Sequence, residues 1–274
     1  MKPLIKWVGG KTQILDQVLA HFPRVVQNYY EPFAGGGSVF LGLLSSEIQV
    51  RGRLYVSDIN PVLINFYTVV QNQPEHLIVC LRVLVRDYES AGDREEFYYQ
   101  MRTLFNTLPK DGPESAALFL FLNKTGFRGV YREGPNGYNV PFGHYKKTDF
   151  LDETAIREVS RAVQNVVFTC EGFEAALARA SNADDFVYVD PPYVPETSTS
   201  FVGYVAGGFS EHGKLFDTLR GLPCSFLMSN SDVPLVRQAF PSPTYSTDVI
   251  TARRAIHSRD PSTQTREVLV TKSG

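Results

Sequence analysis

The apolar run Phe186-Val187-Tyr188-Val189 stops at Asp190-Pro191-Pro192-Tyr193, and that junction constrains the fold most. Four apolar residues ended by a turn signal read as a buried strand. Proline offers no N–H to a sheet ladder, so the chain must leave the sheet there. Similar strand-like runs occupy 28–31, 53–58, 166–170, 225–229 and 267–271. Helical patterns alternate with them. Ser38 is expected to cap a helix through Val39, Phe40 and Leu41, and Asn60 the next one, with Pro61 at its first position. A further helix is predicted over 174–180. Alternation of this kind predicts an α/β fold, a parallel-type sheet with helices on both faces.

The middle of the chain breaks that rhythm. Residues from about 68 to 122 carry helical spacing, with Leu77, Leu81, Leu84 and Val85, then Phe97, Met101 and Leu104, then Phe119 and Leu122. A Gly/Pro/Asn-rich stretch follows from 126 to 143, too long for an ordinary connection and too aromatic for a flexible linker. The expected organisation is therefore one domain from 1–67 and 148–274, interrupted by an inserted, mostly helical module at 68–147 that carries a hairpin or loop.

Composition narrows the function classes. No apolar run approaches membrane-spanning length, and the N-terminus lacks the apolar core of a signal peptide, so a cytoplasmic protein is expected. Cys80, Cys170 and Cys224 are odd in number and far apart, without C-x-x-C or H-x-x-x-H spacing; reduced thiols and no structural metal are expected. The net charge of −2 hides two local basic zones. Lys124, Arg128, Arg132, Lys146 and Lys147 form one; Arg253, Arg254, Arg259, Arg266 and Lys272 form the other. On a near-neutral chain, these suit a cationic cleft or two solvated loops.

Phe33-Ala34-Gly35-Gly36-Gly37 forms a tight turn between a strand and a helix. The dinucleotide pattern G-x-G-x-x-G fails, because its third glycine position holds Phe40. A phosphate-binding P-loop ending at Gly10-Lys11-Thr12 fails too, with Ile5 where its first glycine belongs. A phosphate-free nucleoside ligand, S-adenosylmethionine, fits better: Asp58, about twenty residues on, can accept both ribose hydroxyls. Asp190 to Tyr193 then suit methylation of an amino group on a flat heteroaromatic ring. The amine's lone pair is delocalised, so it is a poor nucleophile. A carboxylate accepting one N–H and the Pro191 carbonyl accepting the other would favour a pyramidal nitrogen, and Tyr193 could stack on the base.

Together these segments resemble the Dam-type, α-group DNA adenine-N6 methyltransferases, in order and over almost the whole chain. Lys6-Trp7-Val8-Gly9-Gly10-Lys11 is similar to that family's K-W-A-G-G-K, and Glu31 to Ser38 to its E-P-F-x-G-x-G-S cofactor turn. Asp58-Ile59-Asn60-Pro61 is similar to its D-I-N-P, Cys170 to Phe173 to its strand-end segment near the cofactor adenine, and Asp190 to Tyr193 to its catalytic tetrapeptide. The resemblance implies a Rossmann-like methyltransferase sheet whose inserted module, 68–147, is a target-recognition domain. It assigns Asp190, Pro191, Pro192 and Tyr193 to catalysis. It assigns Trp7, Lys11, Phe33, Gly35, Gly37, Asp58, Phe173 and Asp190 to S-adenosylmethionine, and Lys124, Phe127, Arg128, Val130, Arg132, Pro141 and Tyr145 to DNA.

In GATC-reading members an arginine at the Arg132 position reads guanine, and an aromatic at the Phe127 position wedges into the duplex. Arginine can donate two bonds to guanine O6 and N7, and a wedge offsets lost stacking when a base leaves the helix. As a phosphate clamp, Arg132 or Arg128 would position DNA without specifying its sequence. The family usually has Asn where Arg128 stands. The expected partner is double-stranded DNA, with no membrane, a monomeric state, and a prokaryotic or phage setting in which a companion restriction endonuclease is one context. Two rival functions remain at this point: a cytosine-N4 methyltransferase, which usually carries Ser in place of the first Asp, and a nucleic-acid-binding module without catalysis.

Overall fold

A computed structural model describes residues 1–195, 209–253 and 264–272. Its strands are β1 (Val25–Val26), β2 (Tyr29–Glu31), β3 (Gln49–Val50), β4 (Leu54–Asp58), β5 (Glu133–Gly134), β6 (Gly137–Tyr138), β7 (Val166–Cys170), β8 (Phe186–Val189), β9 (Ser225–Ser231), β10 (Ser246–Arg253) and β11 (Gln264–Lys272). Seven of them form one sheet in the order β10-β11-β9-β8-β2-β4-β7. The strands from β9 through β7 are mutually parallel, while β11 runs antiparallel between β9 and β10. This is the expected α/β architecture with an antiparallel edge. Strand order reverses at β2: β4 and β7 lie to one side, β8 and β9 to the other. Ligands of open α/β sheets bind at the carboxyl ends of the strands at such a reversal. Glu31, Asp58 and Asp190 all stand at those ends.

The helices are α1 (Leu15–Leu19), α2 (Ser38–Leu43), α3 (Pro61–Asn72), α4 (Pro74–Ser90), α5 (Arg94–Thr107), α6 (Gly112–Thr125), α7 (Glu153–Ala162), α8 (Phe173–Leu177), α9 (His212–Arg220) and α10 (Pro234–Ala239). Asn60 caps α3 as expected, its Oδ1 accepting the Val62 N–H at 2.9 Å with Pro61 in the first turn. Ser38 does not cap α2. Gly37 holds the cap position in a left-handed conformation (φ 75°), and the Ser38 hydroxyl instead accepts the Lys11 N–H at 2.9 Å. That bond ties the N-terminal segment to the start of α2. The helix predicted over 174–180 begins at Phe173 and ends at Leu177.

Between β4 and β7 the chain runs through α3 to α6, then a short β5–β6 hairpin, then α7. Helix α3 continues unbroken to Asn72. Helix α6 is buried nearly all round, with Ala116 to Leu122 all at most 4% exposed, as a central helix must be. One hydrophobic core joins Leu77, Leu81, Phe105, Phe119 and Phe121 of this insert to Val39 and Phe40 of α2 and to Tyr29 and Tyr188 of the sheet. A second core fills the other face with Val187, Phe226, Met228, Leu215 and Phe240. Both faces of the sheet are thus covered, as parallel strands require. Among the described residues, no helix is long and apolar enough to cross a membrane.

Candidate active site

Asp190 follows β8 directly and meets Lys11, whose Nζ lies 2.8 Å from its Oδ2; the two side chains are 19% and 5% exposed. Lys11 also donates to the Gly9 carbonyl at 2.7 Å and sits 5.0 Å from the Tyr193 ring centroid. A buried pair like this is held by having both charges satisfied. Burial raises the Asp190 carboxyl above the usual carboxylate range, and the Lys11 ammonium pulls it back. Tyr193 donates its hydroxyl to Glu267 Oε2 at 2.8 Å.

The tetrapeptide is braced from behind. His212 Nε2 lies 2.9 Å from the Pro192 carbonyl oxygen. A carbonyl only accepts, so Nε2 carries the hydrogen. Burial lowers the His212 pKa, which favours the neutral ring. Asn230 Oδ1 accepts the Val194 N–H at 3.0 Å, and the Ser231 hydroxyl donates to the Val194 carbonyl at 2.8 Å. The end of β9 thereby fixes the chain as it leaves Tyr193.

Across the strand reversal, Asp58 Oδ2 accepts the Gly35 N–H at 3.0 Å and Oδ1 accepts the Asn60 N–H at 2.9 Å. Burial raises the Asp58 carboxyl, and these backbone donors oppose the rise. The glycines are needed for close packing. A Cβ on Gly36 would lie 2.5 Å from Trp7 Cβ, and one on Gly37 would lie 2.5 Å from the Tyr67 hydroxyl and 2.6 Å from the Phe40 ring. Phe40, which excluded the dinucleotide pattern, therefore packs directly beneath the turn. Phe33 and Phe173 stack with ring centroids 5.9 Å apart, giving the site an aromatic wall.

Glu31 ends β2 just before this turn, fully buried, and accepts the Tyr29 hydroxyl at 2.6 Å. Burial pushes its carboxyl up to about 8, with the Asp190 charge adding to the rise. Asp58 and Asp190 outweigh Lys11 to leave a net negative rim, and Glu31 beside them is largely protonated near neutral pH. That donor set fits S-adenosylmethionine, which carries a sulfonium and an ammonium for the carboxylates and one carboxylate for the lysine. Residue-level reading of the sequence missed Glu31, His212 and Glu267. Glu31 had a signal, a carboxylate closing a strand before the glycine turn; the other two lie far off in sequence.

The residues expected to meet DNA form a second cluster. Phe127 is 48% exposed, an unusual setting for so large an apolar side chain. Arg128 has φ 55°, its N–H donates to the Tyr145 hydroxyl at 2.8 Å, and its guanidinium lies 5.2 Å from the Phe127 ring centroid. The left-handed region suits Asn far better than Arg, so Arg128 holds a strained backbone. Lys6, not singled out for DNA in the sequence, rests its ammonium 4.6 Å from the Tyr145 ring centroid. Buried Asn123 links it to the loop, accepting the Lys6 N–H at 2.8 Å and donating to the Lys6 and Gly129 carbonyls. Arg132 Nε donates to Asn139 Oδ1 at 2.6 Å across the hairpin. Pro141 is exposed, with its carbonyl accepting the Phe127 N–H at 2.9 Å. Val130 is half-buried, and so is Lys124, whose pKa burial lowers.

The second basic zone is only partly within the described residues. Arg254 and Arg259 and the Arg253 side chain lie outside them. Arg266 pairs with Asp232 at 3.2 Å, and Lys272 donates to the Leu222 carbonyl, so both are engaged within the fold. Among the described residues, one group of metal-ligating side chains comes together, exposed His76 and Glu114 with half-buried Cys80, on α4 and α6.

A model of the family described as D12 class N6 adenine-specific DNA methyltransferase matches residues 7–256. Among curated relatives, the type II methyltransferase M.MjaIII of Methanocaldococcus jannaschii is 38% identical over 84% of this chain and 84% of its own. The DNA adenine methylase of Escherichia coli K12 is 34% identical over 94% of this chain and 90% of its own. That of Vibrio cholerae is 32% identical over 87% and 84%. The Asp-Pro-Pro-Tyr strand end, the glycine turn and the inserted helices all fall within the matched region. The chain belongs to the D12 class of N6 adenine-specific DNA methyltransferases, a family whose methyl donor is S-adenosylmethionine.

Proposed function

We propose that this chain flips one adenine from a short duplex site, with Gly-Ala-Thr-Cys the leading target, and methylates its N6 at Asp190. The observation that carries the catalytic assignment is the meeting of Asp190, Lys11 and Tyr193 at the strand reversal, beside the glycine turn. Asp58 holds the ribose, Trp7, Phe33 and Phe173 flank the adenosine, Gly35 and Gly37 let the backbone approach, and Lys11 takes the carboxylate. When bound, S-adenosylmethionine supplies a methyl group on a sulfonium. Asp190 accepts one N6–H, the Pro191 carbonyl accepts the other, and Pro192 keeps that carbonyl aimed because its own oxygen is held by His212. Positive charge grows on N6 as the new bond forms, and the Asp190 carboxylate stabilises it in place. The extra proton leaves afterwards, to Asp190 or water. Family membership also decides between bases, since the family is adenine-specific.

The insert, residues 68–147, carries target recognition in this reading. Phe127 fills the gap left by the flipped base, with Val130 and Pro141 beside it. Arg132 reads guanine; Nε and one Nη2 hydrogen bound to Asn139 support this, because they hold that side of the guanidinium and leave the outward hydrogens of Nη1 and Nη2 for a bidentate contact. Lys124, Arg128 and Tyr145 contact the DNA backbone, and Lys6 joins them through its place on Tyr145. Base-resolution sequencing of DNA from cells expressing the chain tests the target. N6-methyladenine confined to Gly-Ala-Thr-Cys supports it, and modification at unrelated sequences refutes it.

A further inference from the structure

Glu267 stands near the start of β11, paired with Ile250 of β10 on one side and Ser231 of β9 on the other. Because β11 runs antiparallel to β9, its early residues lie at the same sheet edge as the carboxyl ends of the parallel strands. A residue from the last strand of the chain thus reaches the catalytic tetrapeptide. Its Oε2 accepts the Tyr193 hydroxyl at 2.8 Å. Ladder bonds on both flanks hold its backbone, so the acceptor is mounted on a rigid element. The same carboxylate is close enough to Asp190 to contribute to the rise of that group.

We propose that Glu267 is a positioning residue for methyl transfer, anchoring the far end of the Tyr193 ring against which the target adenine stacks. The inference rests on the reading of Tyr193 as the stacking ring. A tyrosine held only at its Cβ end can swing about χ1 and rotate about χ2. A hydrogen bond at the far end stops the swing about χ1. The oxygen lies on the χ2 axis, so the ring plane is restrained only through the preference of the phenolic O–H to lie in that plane, and an anionic acceptor makes the bond stronger than a neutral one. The ring is then ordered on folding rather than when the base arrives, which lowers the entropic cost of reaching the reactive geometry. Glutamine at this position keeps an acceptor; alanine does not.

The test pairs single-turnover methylation with emission from a duplex carrying 2-aminopurine at the target adenine, a base quenched by stacking. Glu267→Ala should slow single turnover about tenfold, the scale of a lost bond to a charged group, with cofactor affinity unchanged. Glu267→Gln should recover most of the rate. Tyr193→Phe removes the same bond from the other side and should show a similar loss, and the double variant should be no slower than either single one. Emission from the bound 2-aminopurine duplex should rise in Glu267→Ala and in Tyr193→Phe, a change that a purely structural role would not produce. A normal rate in Tyr193→Phe, or losses that multiply in the double variant, would overturn the proposal, even if Glu267→Ala failed to fold. Near-normal methylation by Tyr193→Ala would instead refute the stacking role of Tyr193 itself.

Discussion

Glu31 is the residue whose chemistry the fold changes most. Its folded carboxyl, at about 8, keeps a proton that the unfolded chain gives up near the ordinary glutamate value. The native state therefore binds more protons between those values, so Glu31's contribution to stability is present at low pH and lost as pH rises through about 8. A cationic ligand beside it reverses the preference and expels the proton. Binding of S-adenosylmethionine at pH 7 should thus release protons, and affinity should increase with pH until about 8. Calorimetry in two buffers of different ionisation enthalpy measures this, and identical heats would contradict it. His212 acts in the opposite sense. Its pKa is lowered in the fold, so the unfolded chain binds more protons, and stability should fall as pH drops below the usual histidine value of 6.5. Asp190 and Asp58 were legible in the sequence because each closes an apolar run beside a distinctive neighbour. Glu267 and His212 were not, because only tertiary folding brings them to Tyr193 and Pro192.

Elements inherit their geometry from single positions. Gly37 begins α2 with φ 75°, against Phe40 and the Tyr67 hydroxyl. Gly37→Ala should lower unfolding stability by about 1–3 kcal/mol, combining backbone strain with overpacking; a change near zero in urea denaturation would refute the packing argument. In the β5–β6 hairpin, Arg132→Ala should reduce discrimination at guanine by about 1–3 kcal/mol. Measured against substituted sites, an equal loss for every sequence would make Arg132 a phosphate contact. Helix α3 was readable from its Asn60 cap and Pro61, and α6 from the spacing of Phe119 and Leu122. Strand β10 (Ser246–Arg253) was not, because Ser246, Thr247, Asp248 and Thr251 dilute its apolar signal and only its ladder with β11 makes it a strand. The Ser38 cap failed for a related reason: a longer-range partner, the Lys11 N–H, claimed the hydroxyl.

At the scale of the whole molecule, sequence order predicted the α/β class but not the strand order, since which strands pair depends on contacts between distant segments. The insert shares a core with the sheet, so Phe127 and Arg132 are carried on the same packed body as Asp190. A net charge of −2 is compatible with DNA binding when cations are gathered locally, as Lys6 and Arg128 are at Tyr145, beside the exposed Phe127. Affinity for duplex DNA should therefore fall steeply with salt, and a flat dependence would contradict a phosphate-contacting face. In the proposed reaction, one carboxylate at the strand reversal makes a poor nucleophile react. The most direct measurement is the single-turnover rate of N6-methyladenine formation by Asp190→Ala on a Gly-Ala-Thr-Cys duplex, with S-adenosylmethionine binding measured on the same protein. The rate should fall by at least about 10²-fold with cofactor still bound. Near-normal N6-methyladenine formation would contradict it.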